Sequence, residues 1–221
     1  MYREALKIAR LFGGLFLYAF GNVLTMHANM GFSPWNVFHQ GLALHLGITI
    51  GNASILVAFI IVTAIVLLKE KFGLATLCNM CSIGLFMDLL MKENLIPIMQ
   101  GFFPGLAMML SGLTLIALAS FFYIGAGYGA GPRDSLMVAL VKRTGKEVGF
   151  CRGTVEGSAL FFGWLLGGYV GIGTLIPAFG VSFAVQVVFT LLHFDVKKIH
   201  QESFRETCLR FEAFLLGRRM S

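Results

Sequence analysis

Two short stretches combine the residue types needed to hold a small solute. Gly129-Ala-Gly-Pro-Arg-Asp-Ser135 runs from glycine-loosened backbone into a proline, then a cation and an anion. Gly31-Phe-Ser-Pro-Trp-Asn-Val37, 98 residues earlier, repeats the frame with neutral Trp35 and Asn36 at the charged places. Proline is favoured in the first turn of a helix, because its missing N–H would have no partner there. Ser33 can cap one start and Gly131 the other. A helix that begins inside a membrane points free N–H groups and a positive dipole end into the interior. Two such starts facing each other are a known way to hold ions or small solutes. Pro34, Trp35, Asn36, Pro132, Arg133 and Asp134 are therefore the candidate substrate-binding residues. A guanidinium at Arg133 favours an anionic or carboxylate-bearing solute. The alternative is a wet cytoplasmic loop, with Asp134 stabilising its own helix start.

Further polar groups lie within apolar segments: Asn22, Asn79, Asp88, Glu156 and Gln186. Intramembrane carboxylates are costly and face a partner or a water-filled path. Asp88 and Gln186 occupy equivalent places 98 apart, so they either face one another or Asp88 reaches the interface. Glu156 either pairs with Arg152, four residues earlier on one helix face, or couples transport to protons. His39 and His45 are six apart and share no stripe for a metal. Cys78 and Cys81 sit in an apolar helix and pack as small hydrophobes. No zinc motif, P-loop, nucleotide fingerprint or Ser/His/Asp pattern stands out. The sequence predicts no enzyme, no metal and no cofactor.

These residues must be positioned by membrane helices. The chain is 221 residues long, 57% hydrophobic and only 13% charged, with mean hydropathy +0.81. Stretches 11–68, 94–132 and 157–194 contain no Asp, Glu, Lys or Arg apart from residues beyond their ends. A spanning helix needs about 20 mainly apolar residues, and the runs are continuous, unlike the alternation of a membrane β-barrel. Spans are expected at 8–28, 52–68, 73–91, 103–127, 149–168 and 171–193. The pieces at 38–46 and 132–143 are too short to cross and are re-entrant or interfacial. The fold class is all-α transmembrane: six spanning helices as inverted 3+3 repeats, each with a short broken helix after a Gly-x-x-Pro motif.

The duplication rests on residues with backbone or hydrogen-bonding reasons. Gly14, Gly31, Pro34, Gly47, Gly51, Gly73 and Thr76 fall on Gly112, Gly129, Pro132, Gly145, Gly149, Gly171 and Thr174. Glycine at the openings of the third spans permits close helix approach, and the threonines bond locally. Repeat 1 covers about 1–97 and repeat 2 about 98–194, together the transmembrane domain 1–194. Three spans per half turn the second half over. With both termini cytoplasmic, sixteen of the seventeen basic residues lie at or near the inner face and only Lys92 lies outside. That bias satisfies the positive-inside rule. It also explains the net charge of +6 without nucleic acid. The tail, 195–221, places Ile199, Phe204, Cys208, Phe211 and Leu215 at helical spacing among charges. It reads as a cytoplasmic amphipathic helix on the inner leaflet, as a surface anchor or as a docking site for a partner.

Gly129-Ala-Gly-Pro-Arg-Asp-Ser-Leu-Met137, followed by Gly171-Ile-Gly-Thr-Leu175 and Gly180, resembles the YczE/YitT-like family of bacterial multipass membrane proteins. The likeness covers most of the chain apart from the tail, with Ser135 where a glycine is expected more often. It implies a bacterial inner membrane and names no substrate. The leading functional expectation is a transporter or channel-like permease for a small solute. Two alternatives stand beside it. One is a non-transporting scaffold for secretion or biosynthesis. The other is a substrate-capturing subunit of a larger transporter, with Ala5 and Ala9 as a small-residue docking face. The bilayer is the expected partner, with a homo-oligomer or a cytoplasmic protein on the tail as further ones.

Overall fold

The computed structural model describes residues 2–70, 72–92, 95–129, 131–194, 199 and 201–215. For residues 2, 3, 148, 149 and 210–215 it describes the backbone alone. Ala130 of the second motif, Lys71, Lys197, Lys198, Arg218 and Arg219 lie outside the described residues, as do the side chains of Arg3, Arg210, Phe211 and Leu215. Every regular element among the described residues is helical: α1 (Tyr2–His27), α2 (Pro34–Leu46), α3 (Ile50–Leu67), α4 (Leu74–Lys92), α5 (Phe102–Gly125), α6 (Pro132–Thr144), α7 (Val148–Leu165), a 3-10 turn (Ile172–Thr174), α8 (Leu175–Leu191) and α9 (Phe204–Leu215). Slid by 98, α2 lands on α6 and α3 on α7, residue for residue. Helices α1 and α5 agree within two residues at each end, and α4 matches the 3-10 turn plus α8 within one. Both short helices start on their proline and end on a left-handed glycine, Gly47 and Gly145, the αL cap that stops a helix without a Cβ clash.

Among the described residues five helices are long and apolar enough to cross a membrane: α1 from Glu4, α3, α4, α5, and α8 with its preceding turn. The helix α7 equals α3 in length, carries Arg152 and Glu156, and is not among those five. Large apolar side chains cover the outside, including Phe103 at 80%, Phe179 at 76% and Phe183 at 72% exposure. Water would penalise such a surface, whereas acyl chains solvate it.

The core is organised on α1. Leu11, Leu15, Ala19 and Val23 recur every fourth residue and are buried, forming the stripe that a 3.6-residue period presents to one side. The adjacent face of α1 meets α5 through glycines. Gly14 abuts Tyr123, Gly21 abuts Gly112 and Ile116, and Gly105 abuts Ala28, so the two helices run antiparallel. A Cβ on Gly21 would stand 2.8 Å from the Gly112 carbonyl oxygen, and one on Gly112 2.7 Å from that of Gly21. Small residues let backbones approach this closely in lipid, where dispersion replaces the hydrophobic drive.

The halves also exchange backbone hydrogen bonds. The Ala75 N–H donates to the Tyr128 carbonyl at 2.9 Å, and the Gly173 N–H donates to that of Met30 at 2.8 Å. Donors and acceptors in these two bonds are each 98 apart. Thr76 and Thr174 accept from the N–H of Gly73 and Gly171 at 3.1 and 3.0 Å, fixing the turns that present those donors. Gly31 and Gly129 lie opposite at φ of 125° and 104°, a region closed to most side chains. At Gly31 a Cβ would also strike the Thr174 hydroxyl. The glycine-threonine turns thus do the packing work expected of them.

The chain after the membrane helices returns to the second motif. The Glu202 N–H donates to the Gly127 carbonyl at 2.8 Å, and the Gln201 amide bridges the Gly129 N–H and the Ile124 carbonyl at 3.0 and 3.1 Å. Phe204 stacks on Phe72 at 5.7 Å. Residues 201–204 therefore form a strap over the turn between α5 and α6.

Two outcomes follow from this packing. Gly21→Val should cost about 3 kcal/mol, the upper end for overpacking, because the obstructing atoms are backbone. Gly13→Ala, with open space around it, should be neutral or gain up to about 1 kcal/mol from helix propensity. Thermal unfolding of the detergent-purified variants measures both. Gln201→Ala should leave the Gly129 N–H unpaired, at a cost of about 1–3 kcal/mol, and speed amide exchange at residues 127–129 by mass spectrometry.

Candidate functional site

The prolines that start α2 and α6 deliver the two motifs to one chamber of about 130 Å³. It is far smaller than the several-hundred-Å³ pockets of drug-sized ligands, and it holds several waters or one small solute. All six candidate binding residues line it: Pro34, Trp35, Asn36, Pro132, Arg133 and Asp134. The walls obey the duplication. Apart from Asn22, Ile61 and Met87, every lining residue has its counterpart 98 positions away on the opposite wall. Tyr18 and Thr25 of α1 mirror Ile116 and Tyr123 of α5, which places the chamber beside the glycine crossing.

Equivalent residues of the two motifs meet. The Arg133 guanidinium carbon lies 4.6 Å from the centre of the Trp35 ring, a cation–π contact that strengthens when water is excluded. His39, one turn beyond Trp35, stands with Nε2 3.5 Å from an Arg133 nitrogen. A guanidinium only donates, so a hydrogen bond across this outer-limit distance requires Nε2 as acceptor and the imidazole proton on Nδ1. His39 is 1% exposed and its Nδ1 has no partner. Asn36 donates to the Asn22 side chain at 3.1 Å, and Asn22 donates to the Tyr18 carbonyl at 2.8 Å. This chain of amides fixes the start of α2 against α1. Tyr123 reaches Asp134 at 3.4 Å, a long contact.

All charge in the chamber comes from the second half. Arg133, Asp134, Arg152 and Glu156 stand where the first half has Trp35, Asn36, Ser54 and Ala58. Arg152 donates to Glu156 at 3.0 Å along one face of α7, so the helical ion pair exists and forms part of the wall. Asp88 and Gln186 do not meet here. Asp88 accepts from Thr49 and from the Gly51 N–H at 2.9 Å, capping the start of α3. Gln186 is exposed and bonds Thr190 at 3.4 Å.

Sequence reasoning flagged Asn22 and Asn79 only as polar groups in spans, and both line the chamber. It passed over Tyr18, Thr25 and Tyr123, and weighed His39 only as a metal ligand. The 98-residue offset was the available signal, because Thr25 and Tyr123 are a repeat pair that is polar in both copies.

Comparison with known proteins places this architecture. A family described as "Family of unknown function (DUF6198)" matches residues 5–190. The uncharacterized membrane protein YczE of Bacillus subtilis is 36% identical over 169 residues, 76% of this chain and 78% of that protein. An uncharacterized protein of Haemophilus influenzae is 31% identical over 185 residues, 84% of each chain. The uncharacterized protein YyaS of Bacillus subtilis is 26% identical over 167 residues, 74% of this chain and 82% of that one. No solved structure matches. The family match spans all the helices that build the chamber, and the YczE likeness covers most of both chains, so this is a membrane protein that belongs to the DUF6198 family.

Proposed function

We propose that the protein is a permease for a small polar solute, held between the starts of α2 and α6, rather than an enzyme. The observation that carries this reading is the chamber whose two walls are copies of one another and whose floor is two proline-led helix starts. Transporters built from inverted repeats place their sites at such a repeat interface, with interrupted helices aimed at the solute. The antiparallel crossing of α1 and α5 and the reciprocal Ala75–Tyr128 and Gly173–Met30 bonds support an inverted relation between the halves. On this reading α7 is a sixth crossing whose charged residues face the chamber instead of lipid, and α2 and α6 are re-entrant.

The same reading puts both termini inside a bacterial inner membrane. Its support is the clustering of basic residues at one end. Lys142 pairs with Glu70, Arg143 bonds the Leu68 carbonyl at 3.1 Å and Arg10 bonds that of Phe121 at 3.2 Å. The strap of residues 201–204 lies on the turn at that end. Those strap residues are already engaged by the membrane domain, which favours an anchoring part for the tail over a free docking peptide.

Reconstitution in liposomes tests the site. Trp35→Leu and Arg133→Gln should each lower uptake of a transported solute by about tenfold or more, the loss of one desolvated charge contact. Leu44→Ala, on an exposed position of α2, should leave uptake unchanged. Equal uptake by all three would remove the chamber from the transport path.

A further inference from the structure

The chamber's charges specify more than a solute that is small and polar. Arg133 and Asp134 are consecutive residues in the first turn of α6, and neighbouring side chains on a helix diverge rather than face each other. Among the described residues neither makes an ion pair. Arg133 has only the Trp35 ring and a 3.5 Å approach to His39, which leave its forked N–H donors free for an acid group. Within contact distance Asp134 has only the 3.4 Å approach of the Tyr123 hydroxyl, and the charges of Arg152 and Arg133 act on it from beyond ion-pair distance. The other two charges on the wall, Arg152 and Glu156, satisfy each other at 3.0 Å. His39, from the first half, adds a buried Nδ1 without a partner among the described residues.

We propose that the chamber binds a small zwitterion, with a carboxylate on Arg133 and an ammonium on Asp134, a proposal that rests on reading the chamber as the binding site. The wall charges sum to zero. An anion would complete Arg133 and leave Asp134 with no cation in contact, since Arg152 acts on it from farther off and is paired with Glu156; a cation would leave Arg133 with no acid group in contact. A solute bearing both signs completes both residues. The guanidinium takes the planar acid group bidentately, and both residues line the same small chamber, which suits opposite charges separated by a short carbon chain. The volume of about 130 Å³ suits a solute of the size of a small amino acid.

The test uses three probes of matched shape: β-alanine with both charges, propionate with the anion alone, and propylamine with the cation alone. Binding to the full chain in detergent is measured by titration calorimetry. The wild-type protein should bind β-alanine about tenfold or more tighter than either single-charge probe. Asp134→Asn should abolish the preference over propionate, and Arg133→Gln the preference over propylamine, each in protein that elutes as one peak with an intact thermal transition. Propionate binding the wild type as tightly as β-alanine would overturn the zwitterion and keep the chamber as an anion site. Propylamine matching β-alanine would overturn it in favour of a cation site. No binding of any probe, or binding unaffected by both substitutions, would overturn the chamber reading as well.

Discussion

The approach of α1 to α5 is closer than any side chain permits, and the rest of the molecule is arranged around it. Gly21 and Gly112 each present a hydrogen where any other residue would drive a Cβ into the partner's carbonyl oxygen. In lipid there is no gain from hiding apolar surface between helices, so close backbone packing supplies the attraction instead. Because the helices are antiparallel, residues of α1 and their repeats on α5 reach the crossing from opposite ends. The starts of the two short helices line one chamber beside it. Their first turns meet beside the crossing, and Trp35 finds its own repeat counterpart, Arg133, across the chamber.

A second constraint locks that geometry. The backbone bonds from Ala75 to Tyr128 and from Gly173 to Met30 tie the opening of each third helix to the segment preceding the other half's broken helix. Neither half can satisfy these donors alone, and an unpaired N–H away from water is expensive. The glycines at 31 and 129 must therefore stay small and take a left-handed φ, which explains why glycine stands at both places. The second of these turns is further fastened by Gln201 of the strap, and the first by the Phe32 N–H donating to the Tyr169 carbonyl at 3.2 Å.

Much of this was legible before any coordinates. Glycines, prolines and threonines recur at a fixed interval because each holds a backbone position, and α2/α6 and α3/α7 keep the interval without a slip. Motif chemistry led to the six chamber residues of the helix starts. What the sequence hid was the contribution of the long helices. Tyr18 and Tyr123 look like ordinary aromatics in apolar spans, and only the crossing turns them inward. His39 was weighed for metal binding, although its relevance is a contact with a residue 94 positions away. Asp88 illustrates the opposite case. Symmetry suggested Gln186 as its partner, but the nearby start of α3 offers an orphan N–H and a threonine hydroxyl, and local capping of this kind leaves no trace in the spacing.

The asymmetry of the chamber follows from its symmetry. Two identical walls related by a two-fold operation would present a solute with two equivalent poses, turned end for end. Such a site could not distinguish the head of a small molecule from its tail. Here the backbone frame is duplicated while the facing side chains are not. Trp35, Asn36, Ser54 and Ala58 are neutral, and their counterparts Arg133, Asp134, Arg152 and Glu156 carry every charge. The neutral wall is not inert: Trp35 offers the negative face of its ring to Arg133, and Asn36 is held by Asn22. One copy thus supplies a rigid polar backing and the other the charges that the backing orients. Polarity concentrated on one wall breaks the degeneracy of poses without disturbing the helix crossing that created the chamber. The charge of the chamber therefore resides in four side chains of the second half, and its shape resides in both halves.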